Sequence, residues 1–386
     1  MSLCFELSDT QHMIRESIRR FAETEIRPLA GALSREERFS ADLTRKMGQV
    51  GLFGMTVSEE YGGHGLDYVS YIIAVEEVAR IDGSQAATVA AHNSLGIGPL
   101  QYFGNEEQKR TYLPRLCTGE HLWGFGLTEP DAGSDAGASK TTARKEDNGW
   151  SLNGSKIFIT NGSSEVTLGN TVQAISGELP GGKKEMSCFL VENGTPGFEA
   201  RTMHKKMVWR ASNTAELYFD ECRIGEAAIL GKRGDGFKQM LQTLDKGRLS
   251  IAAMGLGCAQ GAFDVALAYA RERKAFGKPI STFQANAFKL ADMATEIDAA
   301  RWMLYRACWL LDQHQPFSRE SAMAKLYCSE VAKRCADHCV QLHGGYGLLE
   351  EYEAERFYRD QRLLEIGEGT SEIQRLVIAR SLGCFA

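Results

Sequence analysis

The chain has 386 residues, 43% of them hydrophobic and 24% charged, with a formal net charge of −6. That length predicts two or three domains rather than a single core. Acids and bases are mixed throughout, with no basic stripe of the kind that neutralises phosphates, so nucleic-acid binding is excluded. Met1 to Ser8 has no basic start and no long apolar run, so no signal peptide is expected. Leu249 to Ala270 is long enough to span a bilayer. It carries Gln260 and Asp264 and is rich in Ala and Gly, which predicts a buried bundle helix and no membrane partner. Ten scattered cysteines without framework spacing predict reduced thiols in a soluble, cytoplasmic protein. Cys335, His338, Cys339 and His343 could gather metal on one helical face. Small side chains packing a core explain them better, so no metal is expected.

In chain order, the first third is helical. Ser8 to Gln11 forms a capping box, and Ile14, Ile18 and Phe21 mark one face until Pro28. Ser40 opens a second helix with Leu43, Met47 and Val50. A Gly-rich loop at Tyr61 to Gly65 precedes renewed helical spacing at Tyr68, Tyr71, Ile72, Val75 and Val78. Asn105 to Gln108 caps a further helix through Tyr112.

From about Gly119 the pattern turns to strands. Trp150 to Thr160 predicts a strand, an Asn153-Gly154 turn and a second strand. Asn161-Gly162 and Asn193-Gly194 add further turn signals, and Ser187 to Val191 and Glu216 to Phe219 alternate as strands do. The β region ends near Leu230.

Long helices follow, from Phe237 to about Arg273, Thr282 to His314 and Ser318 to Leu342, with a break at Lys274 to Pro279. Phe283, Phe288, Ile297, Leu304, Tyr305 and Leu311 are expected to face a core. The run Gly255 to Gly261 could pass for a dinucleotide fingerprint. No βαβ unit surrounds it, so close helix packing is the better reading. The predicted fold class is mainly α with a central β domain. It comprises an N-terminal helical domain (1–118), a middle β-barrel or sandwich (119–231) and a C-terminal four-helix bundle (232–386).

Two stretches carry chemistry. Near the end, Glu368 sits between Gly367 and Gly369, before a helix that Thr370 could cap. Its face is marked by Ile373, Leu376, Val377 and Arg380, and Gly383 could stop it. Flanking glycines leave such a carboxylate unobstructed for proton abstraction, whereas the plain alternative is a surface acid at a helix start. Phe125 to Gly137 gathers two hydroxyls, small residues and free backbone N–H groups in a turn entering the β domain. A loop of that composition can wrap a ring edge or a diphosphate.

Leu127 to Pro130 with Gly133 to Asp135 resembles the flavin-binding signature of the acyl-CoA dehydrogenases. Five further segments match that family in order: Lys156 to Gly162, Leu244 to Arg248, Arg273 to Gly277, Gln341 to Gly345, and Glu368 to Thr370. The resemblance spans essentially the whole chain and implies bound FAD. It assigns flavin contacts to Phe125, Leu127, Thr128, Gly133, Ser134, Ile159 and Thr160. Phe158 stands where the family usually has tryptophan, which keeps an aromatic face and loses an indole N–H. Arg273, Phe276, Gln284, Gln341, Leu342, Gly344 and Gly345 resemble residues reaching the FAD of a neighbouring subunit, which implies an oligomer, in this family a homotetramer. Thr370 and Glu372 would close the site at the adenosine-side phosphates. Substrate contacts would come from Ser134, Asp245, Lys246, Arg248 and Gly369.

The implied reaction is α,β-dehydrogenation of an acyl-CoA thioester, with Glu368 taking the α-proton. The family's other location for the base holds Gly247, which cannot act. A free glutamate titrates near 4.3 and lower at a helix start, so its basicity is expected to rise when the acyl chain expels water. Gly367, where many relatives have tyrosine, suggests a short, branched or alicyclic acyl group. Electron-transfer flavoprotein is the expected acceptor. The alternatives are a flavoprotein oxidase or nitroalkane-type enzyme on the same scaffold, or a non-catalytic member.

Overall fold

The computed structural model describes residues 6–385. Local capping decides where the first helices begin. Ser8 and Gln11 exchange hydrogen bonds as predicted, and α1 runs Asp9–Phe21. The chain does not stop at Pro28. It widens into a π turn over Ala22–Ile26, and Pro28 falls in the first turn of α2 (Arg27–Arg35), where no N–H is required. Ser40, Asp67 and Asp82 cap α3 (Ala41–Gln49), α4 (Tyr68–Ala79) and α5 (Gly83–Ala91). After a second π turn, α6 (Gly98–Phe103) leads to α7 (Glu106–Cys117), which opens with the predicted Asn105–Gln108 box and runs beyond Tyr112.

The middle region is one eight-stranded sheet. Its strands are β1 (Leu122–Gly126), β2 (Thr142–Glu146), β3 (Gly149–Thr160), β4 (Thr167–Leu179), β5 (Lys183–Glu192), β6 (Phe198–Thr202), β7 (Thr214–Gly225) and β8 (Ile229–Leu230). They lie in the order β6-β7-β3-β2-β4-β5-β8, with β1 parallel to β4. Trp150, Leu152, Val172, Phe189, Leu217 and Phe219 share one core within it.

The Asn153-Gly154 turn expected inside this sheet does not form. β3 runs straight through the pair, bonded to β2 on one edge and β7 on the other. Asn153 and Gly154 make a bulge, where Asn153 Oδ1 accepts from the Glu221 N–H at 2.9 Å. Pairing on both edges outweighs a local turn preference. The hairpin turn lies earlier, at Asp147-Asn148, between Glu146 and its partner Gly149.

The C-terminal region is α8 (Gly236–Glu272), a small β9–β10 hairpin (Lys274–Ala275, Lys278–Pro279), α9 (Gln284–Asp312), α10 (Ser318–His343), α11 (Glu353–Asp360) and α12 (Ser371–Ser381). α8, α9 and α10 pack together, α4 lies along α8, and α12 lies on α10. The glycines of α8 serve packing. A Cβ on Gly257 would lie 2.3 Å from the Glu76 carbonyl oxygen, and one on Gly261 would lie 2.1 Å from that of Arg80. Among the described residues α8 alone is long and apolar enough to cross a membrane, and 67% of that window is buried in the fold. Ile297, Leu304 and Tyr305 are buried as expected, but Phe288 is 62% exposed. It sits on the outward stripe of α9, so an apolar side chain at helical spacing did not mean a core position. Cys335 and Cys339 are buried in the bundle core, and His343 Nδ1 lies 2.8 Å from the Cys339 carbonyl oxygen.

Candidate active site

The loop between α11 and α12 is fastened at several points. Ser329 Oγ donates to the Leu364 carbonyl (2.9 Å), and Lys325 Nζ donates to the Gly369 carbonyl (2.7 Å). From α12, Gln374 Nε2 donates to the carbonyls of Gly369 (2.9 Å) and Glu368 (3.3 Å). Thr370 caps α12 through the Ile373 N–H, as its sequence position predicts. Glu368 and Gly369 both take left-handed backbone, with φ of 52° and 94°. For a glutamate that conformation costs about 1–3 kcal/mol, which the surrounding bonds must offset.

The strained turn aims the carboxylate inward. Glu368 Oε2 is shielded from solvent and has no hydrogen-bond partner. A Cβ on Gly247 of α8 would lie 2.1 Å from Oε2 and 3.2 Å from Leu95 Cδ2, so a larger residue at 247 would occupy the carboxylate's own space. Burial pushes the Glu368 carboxyl up to about 7, against the opposing pull of Lys325 and Arg248. The fold therefore raises this carboxyl by itself, whereas the sequence alone points to substrate binding for that rise. Arg248 is buried, ion-paired to Asp245, and its Nε has no partner. Ser321 Oγ donates to the Asp245 carbonyl (2.7 Å), fixing that turn of α8 to α10. Lys246 is half-buried, with Nζ 3.0 Å from the Tyr102 ring centroid. Burial lowers its ammonium to about 8.

A second cluster forms on the β domain. Phe125 and Leu127 are almost buried, and the Thr128 carbonyl accepts from the Ile157 N–H (2.9 Å), which joins the 127–134 loop to β3. Gly133 and Ser134 are exposed, and nothing lies within 4 Å of a Cβ built on Gly133. Where β3 shifts register against β7, Phe158 flips to φ 62° and stands 63% exposed. Its neighbour Ile159 is buried and Thr160 half-buried. Beneath the loop, Glu129 accepts from Lys156 Nζ (2.7 Å) and from the N–H groups of Lys140 (2.6 Å) and Thr141 (3.0 Å). Burial works to raise the Glu129 carboxyl, but Lys156 and these donors outweigh it and hold it below its usual value.

The sequence places Glu129 and Lys156 inside matched segments without giving either a role, and it does not single out Lys325 or Gln374. One signal was available for Lys325. It lies in register with Ala322, Cys328, Ser329 and Ala332, on the face of α10 that packs inward.

A third group lies on the C-terminal region. Phe276, at the tip of the β9–β10 hairpin, is 95% exposed with φ 50°. Arg273 lies over the Tyr346 ring at 5.6 Å, which brings the hairpin beside the 344–346 turn. Gln284, Gln341, Gly344 and Gly345 are exposed, while Leu342 is buried. Among the described residues, no hydrogen bond or ion pair links this group to residues 125–134 or 158–160. Glu372 is exposed in the first turn of α12, beside its cap Thr370.

Residues 8–120, 124–222 and 234–383 match, in order, the N-terminal, middle and C-terminal domains of acyl-CoA dehydrogenases. The chain is 50% identical to the probable acyl-CoA dehydrogenase YngJ of Bacillus subtilis, covering 98% of this chain and 99% of that protein. Butyryl-CoA dehydrogenase from Megasphaera elsdenii superposes with a TM-score of 0.95 at 39% identity, over 98% of this chain and 100% of that one. A chain solved under the description "Electron transferring flavoprotein of Acidaminococcus fermentans: Towards a mechanism of flavin-based electron bifurcation" also has a TM-score of 0.95. It is 43% identical, covering 98% and 99% of the two chains. The helix–sheet–helix order, the buried carboxylate and these matches together make the chain an oxidoreductase of the acyl-CoA dehydrogenase family.

Proposed function

We propose that this protein is an FAD-dependent acyl-CoA dehydrogenase in which Glu368 removes the α-proton of a short acyl-CoA. The observation that carries the reading is Glu368 Oε2, a dry and unpartnered carboxylate oxygen held near neutrality on a strained, bonded loop. A base poised near the working pH takes a proton from a weak carbon acid with the least driving-force penalty.

The residues fit a flavin. Phe158 and Phe276 hold exposed aromatic faces at positive φ, a double expense that a covering ring system would offset. The open backbone at Gly133 leaves room for a large polar group beside the Thr128 carbonyl turn. When bound, FAD supplies the acceptor, at N5, for the hydride leaving the β-carbon as the α,β double bond forms. The chain's own part is to bind, orient and keep water out. Arg248, with its unpaired Nε, and Asp245 would meet the CoA portion, with Lys246, Ser134 and Gly369 beside it. Leu95 and Gly247 border the carboxylate.

The group around Arg273, Phe276, Gln284, Gln341, Leu342, Gly344 and Gly345 would complete the flavin site of a second copy. The lack of any hydrogen bond or ion pair from this group to the 125–134 loop fits that division; the assembly would be the family's homotetramer, with each chain divided at about residues 118 and 231. Electrons would pass to an electron-transfer flavoprotein in the cytoplasm. Gly367 removes bulk beside the base, which favours branched or alicyclic acyl groups. Leu363 already takes some of that space, since a Cβ on Gly367 would lie 2.8 Å from its Cδ2.

Glu368→Gln tests the assignment. The variant should keep the yellow flavin spectrum and lose nearly all turnover of butyryl-CoA; near-normal turnover refutes it. Comparing kcat/KM for butyryl-, isobutyryl-, 2-methylbutyryl- and cyclohexanecarbonyl-CoA tests the acyl group, and a clear preference for butyryl removes the branched reading.

A further inference from the structure

Lys325 is a wholly buried lysine in the middle of α10, and no carboxylate lies within ion-pair distance of it among the described residues. Removing an ammonium from water without a partner is costly, and such a residue persists where its charge or its donors are used. Here Nζ points at the catalytic loop and donates to the Gly369 carbonyl, one residue beyond the proposed base. The same helix holds the start of that loop through Ser329 Oγ and the Leu364 carbonyl. One turn of α10 therefore grips both ends of a segment whose central residues, Glu368 and Gly369, are left-handed.

We propose that Lys325 is the positioning residue for Glu368, tying down the strained turn and supplying the buried positive charge that lets the carboxylate ionise in a dry site. This rests on Glu368 being the base.

The charged and titratable groups around the pair are few. Facing Glu368 are Lys325 from α10, Arg248 from α8 and the Tyr71 hydroxyl from α4, which donates to the Ala90 carbonyl. Around Lys325 are Glu368, Arg248, Glu365 and Glu372. Arg248 is already committed to Asp245, and Glu365 pairs with Lys333 and Arg362. Lys325 is thus the cation next to the proposed base that no carboxylate pairs among the described residues. Burial lowers its own ammonium to about 8, with Glu368 acting against that fall. The ammonium and the carboxylate support each other's charged forms between these two values.

The test is the pH dependence of flavin reduction by butyryl-CoA, followed anaerobically in the FAD-loaded enzyme. Activity should rise with pH as Glu368 ionises. In Lys325→Met the neighbouring charge is gone, so this acid limb should move up by about one pH unit or more. The rate at neutral pH should then fall about fivefold or more. Lys325→Arg, which keeps charge and donors, should leave the limb near its wild-type position even if the rate falls. Lys325→Gln keeps a donor for the Gly369 carbonyl without the charge and should shift the limb as Met does. It serves as the reading if the Met variant does not retain flavin.

A limb that stays put in Lys325→Gln or Lys325→Met overturns the proposal, because a merely structural role would lower the rate without moving it. An Arg variant shifted as far as Met overturns it equally. Glu368→Gln is run beside them. If that variant turns over, the base assignment has failed; if it is dead and the limb is unmoved, only the role of Lys325 has failed.

Discussion

With Glu368 as the proposed base, activity and stability depend on its ionisation in opposite senses. Its carboxyl is raised to about 7 by burial, so the folded protein prefers the protonated form more than the unfolded chain does. That contribution to stability is complete below the unfolded value near 4.5 and is lost as pH rises through 7. Glu368→Gln should therefore melt higher than wild type at pH 8, by on the order of 2–3 kcal/mol. The gain should vanish below pH 5, and thermal melts at the two pH values check it. The Lys156–Glu129 pair behaves differently, because both partners are buried and bonded. Lys156→Met strands the Glu129 charge and should cost about 3–5 kcal/mol in denaturant unfolding. It should also weaken flavin retention, since Lys156 Nζ donates to the Leu127 carbonyl (3.2 Å) as well. Pairing it with Glu129→Gln should recover part of the lost stability.

At the scale of elements, the contact between α4 and α8 sets how close the helical regions sit. Gly261 has no room for a methyl group, since its Cβ would strike the Arg80 carbonyl carbon and oxygen and the Phe357 ring. Backbone cannot step aside as a side-chain end can, so Gly261→Ala should lose about 2–4 kcal/mol. Gly133→Ala meets nothing within 4 Å and should change stability by less than about 0.5 kcal/mol. Urea titrations of the two variants give the comparison. The same logic explains β3. A bulge at Asn153-Gly154 lets one strand serve two neighbours, and the second shift, between Lys156 and Ile159, turns Phe158 outward.

At the scale of the whole molecule, the proposed site divides between copies. If Arg273 and Phe276 serve a neighbour's flavin while Glu368 serves its own site, two different defects can complement. Arg273→Ala and Glu368→Gln are each expected to be nearly inactive alone. Co-expressed chains of the two kinds should regain a measurable fraction of wild-type turnover, because some sites then draw one intact residue from each chain. Activity no greater than either variant alone would place all these residues in one chain's site.

Sequence alone determined the parts that depend on neighbours along the chain. Ser8, Ser40, Asn105 and Thr370 start the helices where their side chains can reach the next free N–H groups, and helical spacing marked Tyr68 to Val78 and the three long helices. The order of motifs was enough to point to the family. Tertiary structure alone decided the rest. Asn153-Gly154 became a bulge rather than a turn because strands distant in sequence occupy both edges of β3. Phe288 faces outward because it lies on the side of α9 opposite the buried Ile297 and Leu304. The basicity of Glu368 was not written in Gly367 or Gly369. It comes from desolvation where the loop folds against Gly247 of α8 beside Leu95, and dielectric surroundings are made by segments that only folding brings together.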